Sequence, residues 1–191
     1  MDVSSLNIVF PKTIEILHEK KISYLQEQFR KTLHEQILVS TDSDIPRWFP
    51  VFLKFQGIRP EILEVAEFEY LRHLVIQQEA AALRMDHGQL GLNSTLQFVE
   101  LHHAQPKLNR ERGLYCFFKK QEQLIEYKLS IQQALVVDLL HDERKYSLEQ
   151  LALHAATHEM GRIQSLQKWK ETVFEMLQLG ILVSQLKGNE A

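Results

Sequence analysis

Nine histidines, a run of glutamates and one cysteine are the residues of this chain whose types could hold a metal or move a proton. The best-spaced histidine pair is His154 and His158, four apart and so on one face of a helix. Between them stands Ala155-Ala156-Thr157, without the glutamate that follows the first histidine of a zinc-protease helix, so they read as surface histidines. Adjacent His102 and His103, if on a strand, point to opposite faces and cannot share an ion. Glu64, Glu67 and Glu69 resolve into no acid/base pair and are expected on a solvated surface. Cys116, in the apolar run Leu114-Tyr115-Cys116-Phe117-Phe118, is expected to be a buried hydrophobe. A lone cysteine forms no internal disulfide and no multi-cysteine site. The seven glycines build no phosphate loop, and no Gly-x-Ser-x-Gly elbow is present. No catalytic residue, metal ligand or cofactor is assigned to this chain.

The elements around these residues follow from periodicity. Ile14, Leu17, Ile22, Leu25, Phe29, Leu33 and Ile37 predict one amphipathic helix from Pro11 to about Val39, ended by the polar turn 40–44 and Pro46. Trp48-Phe49-Pro50-Val51-Phe52-Leu53-Lys54-Phe55 predicts a short helix closed by Gly57. Its aromatics suit core packing between the flanking helices, or a patch formed by Trp48, Phe49, Phe52 and Phe55 that docks a partner. A third helix is expected from Pro60 to about Met85. The character changes at Asp86-His87-Gly88, dividing a helical partner-docking region, 1–87, from a second region, 88–191.

In the second region residues 92–101 alternate with period two, predicting a strand, and 113–119 and 123–129 predict two more. Lys120-Gln121-Glu122 is the expected hairpin turn, and the three strands should form an antiparallel meander. Helical periodicity returns in Ile131-Leu140 behind Ser130, in Leu148-His158 behind the Ser147/Gln150 capping box, and in Ile163-Leu179 before Gly180. Ile181 to Leu186 predicts a wing strand. The expected class is α+β: a helical part, then a three-stranded antiparallel sheet and three helices, in the outline of a winged helix or a peptide-recognition element.

Composition narrows the function classes. With 45% apolar and 25% charged residues the chain is an ordinary globular protein. Its formal charge of −3 is spread without a basic stripe, which argues against nucleic acid. No stretch approaches the ~18 apolar residues of a membrane span, and the N-terminus lacks a signal-peptide pattern, so a cytoplasmic location is expected.

The segments Leu92-Asn93-Ser94-Thr95-Leu96-Gln97 and Leu114 to Phe118, the third strand and the helix ending Leu139-Leu140 resemble the C-terminal part of a known family. Its members are the accessory subunits of multinuclear-iron enzymes that modify ribosomally made peptides. Trp48 to Leu53 followed by Glu64-Val65-Ala66-Glu67-Phe68-Glu69-Tyr70 is similar to the helical N-terminal part of that group. Within the group the short length most resembles the methanobactin-biosynthesis accessory subunits, the MbnC family. Ser94 stands where relatives often carry proline. The resemblance implies a heterodimer with an iron-dependent TIM-barrel oxygenase that holds the iron. It also implies a precursor peptide whose leader this subunit binds while a cysteine becomes an oxazolone with a neighbouring thioamide.

A sheet edge explains how such a layout holds a peptide: an extended segment adds as another strand, and a helix beside the edge supplies side-chain pockets. If the third strand is that edge, Gln123, Leu124, Ile125, Glu126, Tyr127 and Lys128 pair with the leader, and Trp169, Val173 and Leu177 form the groove wall. Glu122 and Glu126 would then favour a basic leader. The competing class is a winged-helix DNA-binding regulator, but residues 148–158 contain no arginine or lysine, and Arg162, Lys168 and Lys170 are the only bases near the last helix.

Overall fold

The computed structural model describes residues 4–36, 45–79, 88–141, 146–158 and 164–184. Ile37 to Val39, the turn 40–44, the expected helix end near Met85, the boundary at Asp86-His87, and Ile163, Gln185 and Leu186 lie outside them. The fold is mixed α+β. Among the described residues five α-helices come first: α1 (Ser4–Val9), α2 (Pro11–Glu19), α3 (Tyr24–Gln36), α4 (Ile45–Phe55) and α5 (Pro60–Gln77). Then follow β1 (Leu90–Leu92), β2 (Gln97–Leu101), β3 (Gly113–Lys120), β4 (Gln123–Lys128), α6 (Ile131–His141), α7 (Leu148–Thr157), α8 (Leu166–Leu179) and β5 (Leu182–Ser184). By its contacts the chain divides into two units, residues 1–77 with 99–113 and residues 78–98 with 114–191.

The first unit is built on aromatic packing. Phe49 is fully buried, with Phe10 and Phe29 rings at 5.0 and 5.1 Å, and Leu17, Leu25 and Leu53 close the core. The helix expected from Pro11 to Val39 is interrupted. After Glu19 the chain closes a Schellman turn, with Lys21 N–H to His18 O at 3.0 Å and Ile22 N–H to Leu17 O at 3.0 Å. Lys21 takes the left-handed conformation (φ 57°) that glycine usually supplies, so no glycine marks the break. Ile22 then packs on the core, which offsets the strain. Pro46, expected to end a helix, sits in the first turn of α4 instead, where its missing N–H costs nothing.

In the second unit α6, α7 and α8 enclose Cys116, Phe118, Val136, Leu151, Trp169, Val173 and Met176. Both expected helix starts carry reciprocal caps. Gln150 N–H donates to Ser147 Oγ, and Gln133 N–H to Ser130 Oγ at 3.2 Å, with Ser130 N–H returned to Gln133 Oε1 at 2.9 Å. Gly180 ends α8 at φ 91°.

The three-stranded sheet has the order β2-β3-β4. The single strand expected over 92–101 is two strands. β1 leaves this sheet and pairs antiparallel with β5, Leu90 opposite Ser184 and Leu92 opposite Leu182. Asn93 makes the break. Its Oδ1 accepts from Thr95 N–H at 2.9 Å and Thr95 Oγ1 at 2.8 Å, an Asx turn that redirects the chain.

Candidate functional site

β4 is an end strand of its sheet, and a two-residue hairpin sets its register. Gln121 and Glu122 both have positive φ, 51° and 63°, the primed turn that matches strand twist. Lys120 lies opposite Gln123, Phe118 opposite Ile125 and Cys116 opposite Tyr127. Leu129 N–H reaches Leu114 O at 2.9 Å, and hydrogen-bonded pairs alternate along an antiparallel ladder. Gln123, Ile125 and Tyr127 therefore direct their backbone groups to β3, while Leu124, Glu126 and Lys128 direct theirs away from it. The expected edge is present as an end strand, but the backbone directed away from β3 belongs to the even-numbered residues, Leu124, Glu126 and Lys128, and not to Ile125 or Tyr127.

The side chains divide the same way. Ile125 and Tyr127 pack on the core of the second unit, and Leu124, Glu126 and Lys128 take the opposite face. Trp169 is 1% exposed and Val173 fully buried, because both lie on the face of α8 that packs inward. They are core groups and not an open groove wall, and Leu177 is half-buried against the same core. The α8 groups that reach β4 are others. Tyr127 Oη donates to Glu175 Oε1 at 3.5 Å and receives Gln133 Nε2 at 3.3 Å. Beside this contact opens a polar cleft of about 220 Å³, lined by Gln132, Lys168, Glu171 and Glu175 among others. Counting outward from the hairpin turn in steps of two would have found the outward-facing residues from sequence; nothing local marks Glu175.

The residues expected to dock a partner also separate by burial. Phe49 is buried in the first core and is no surface group, and Phe52 is buried except where it floors a groove. Phe55 is 85% and Trp48 37% exposed, and with Val51, Phe29 and Thr32 they line that groove, of about 380 Å³.

Two glutamates expected in solvent are buried. Glu64 and Glu69, both on α5, are each 6% exposed. Glu64 accepts from Gln105 Nε2 at 2.9 Å and His103 N–H at 3.2 Å, and His103 Nδ1 lies 2.8 Å from its Oε1. Burial works to raise this carboxyl, but the hydrogen bonds from His103 and Gln105 outweigh it and hold the group below the usual range. Glu69 accepts from Lys12 N–H at 2.7 Å, Thr13 N–H at 2.9 Å and Thr13 Oγ1 at 2.7 Å, yet burial dominates and pushes it up. Both brace the fold.

Of the histidines, His102 stands 3.5 Å from Glu100, and His154 stacks on the Tyr146 ring at 5.5 Å. Among the described residues no three His, Cys, Asp or Glu side chains gather as a metal site would require. Cys116 is buried, its thiol pushed up to about 12 by desolvation, so it carries no nucleophile at neutral pH. Among the described residues no helix is long and apolar enough to cross a membrane. Comparison of the chain with known protein-family models and with curated proteins finds no match to either.

Proposed function

We propose that the chain is a non-catalytic accessory subunit that pairs with an iron-dependent TIM-barrel oxygenase. In that pairing it captures the leader of a ribosomally made precursor peptide, whose cysteine is converted to oxazolone and thioamide as in methanobactin biosynthesis. The iron belongs to the partner. The observation that carries the proposal is the end position of β4, with the Leu124 N–H and C=O directed away from β3. An extended leader adding there gains ladder hydrogen bonds, and Glu175 and Glu171 of α8 stand beside its path to select a basic side chain.

The same helix weighs against DNA. Glu171, Phe174 and Glu175 are exposed on α8, and Lys168 is drawn to Glu171 at 3.3 Å, so its outer face opposes a phosphate backbone. Two experiments test the proposal. Co-expression with an iron-dependent TIM-barrel oxygenase from the same genome should give one heterodimer peak in gel filtration; separate peaks at micromolar concentration reject the pairing. A fluorescein-labelled synthetic leader of the precursor that such an oxygenase modifies should bind the chain and lose at least tenfold in affinity to Leu124→Pro. Unchanged affinity in a folded Leu124→Pro variant removes β4 as the site.

A further inference from the structure

Among the described residues, the α4 side of the groove between α3 and α4 carries charge of one sign. Trp48, Val51 and Phe55 are spaced three and four apart and form an exposed apolar stripe along α4, with Phe29 and Thr32 of α3 as the facing wall. Arg47 and Lys54, seven apart, both exposed, run along one edge of that stripe. Arg47 is held over the Trp48 ring, its guanidinium 5.7 Å from the centroid, which fixes a cation at the lip of the groove. α4 contains no carboxylate, and Glu27 on α3 is already bonded to Arg30 at 2.6 Å.

We infer that this groove receives an amphipathic helix of a partner protein, with large apolar side chains on the buried face and carboxylates along the border that meets Arg47 and Lys54. The cleft, about 380 Å³, is concave, so inserted side chains fill it where a flat bilayer would not. Two cations are also fewer than the roughly four to eight of a lipid-binding polybasic cluster. Exposed aromatics beside an arginine are the composition of a protein-binding hot spot. The inference rests on the docking half of the function proposed above and is independent of leader capture at β4.

Tryptophan fluorescence of the whole chain tests it, because Trp48 is 37% exposed and Trp169, at 1%, is a silent background. The probes are two synthetic amphipathic helices with identical leucine and phenylalanine faces, one bordered by glutamate and the other by lysine, and phosphatidylcholine vesicles containing phosphatidylserine. The glutamate-bordered helix should shift Trp48 to the blue, shield it from iodide and bind at least tenfold tighter than its lysine twin. Phe55→Glu should abolish the response, and Arg47→Ala with Lys54→Ala should erase the preference. Equal binding of both helices, no binding up to about 1 mM, or a response to vesicles alone overturns the assignment. Failure here with an intact iron-enzyme heterodimer sinks only the groove, whereas helix binding without a heterodimer sinks the pairing and keeps the groove.

Discussion

Glu69 does for α2 what a capping side chain does elsewhere, and removing it should be felt by the whole first unit. Phe10 at the cap position offers no acceptor and Pro11 has no N–H, so the Lys12 and Thr13 N–H groups depend on the Glu69 carboxylate, 57 and 56 residues away. A lost cap costs about 1 kcal/mol, and a buried donor left without an acceptor costs roughly 1–3. Against this, Glu69→Ala relieves the desolvation of a carboxyl that burial already pushes up. The expected net loss is about 2–4 kcal/mol, or about 6–12 °C at roughly 3 °C per kcal/mol for a chain of this size. Thr13→Val, which deletes one of the three bonds, should lose about 1 kcal/mol. Urea and thermal unfolding followed by far-ultraviolet circular dichroism measures both. Because the folded carboxyl is raised, the stability linked to its protonation is full below the unfolded value near ~4.3 and fades as pH rises through the folded one. The stability of the wild type relative to Glu69→Gln should therefore fall with rising pH. A loss under ~0.5 kcal/mol for Glu69→Ala refutes the capping role, whereas a gap that widens with pH refutes the dominance of burial over the Lys12 and Thr13 hydrogen bonds.

Glu64 should behave in the opposite sense: its carboxyl is lowered, so the advantage over Glu64→Gln is present above ~4.3 and disappears as pH falls through the depressed value, visible in the same melts. Ile125→Pro removes a donor from the β3 ladder and should destabilise by about 2–3 kcal/mol, whereas Leu124→Pro, facing outward, should stay within about 1 kcal/mol of wild type in urea. Gly180→Ala should cost about 1 kcal/mol in thermal unfolding, because φ 91° strains any side chain there; the added Cβ, 3.2 Å from the flexible Lys120 Cδ, contributes less.

What the sequence disclosed was local chemistry. The Ser147/Gln150 box, Gly57 and Gly180 as helix ends, and the hairpin at Gln121-Glu122 are each a few residues long, and their physics acts within that span. What it concealed depends on distant partners. The break after Glu19 uses a lysine in a glycine's conformation and is held by Ile22 on the core. Leu90 to Leu92 alternate like the strand that follows, yet their partner is β5, some ninety residues on. Glu64 and Glu69 read as surface because nothing beside them names Gln105 or Thr13 as their donors. The candidate site was legible as a segment, 123–128, while which of its residues face away from β3 depended on ladder parity, and the inward placement of Trp169 and Val173 on the packing of α8.

Asn93 gives this edge its stiffness at one end. Its Nδ2 donates to Lys119 O at 2.9 Å and Gly180 O at 3.0 Å, and Lys120 Nζ reaches Gln178 O, so the hairpin tip and the end of α8 are pinned together. At the other end the tie is the long Tyr127–Glu175 contact. The two elements are thus joined by three hydrogen bonds at the hairpin tip and by a single longer one at the far end of β4. If a leader adds to β4 as proposed, the backbone beside the hairpin tip is the part already held in place, so least ordering is left to that end on binding.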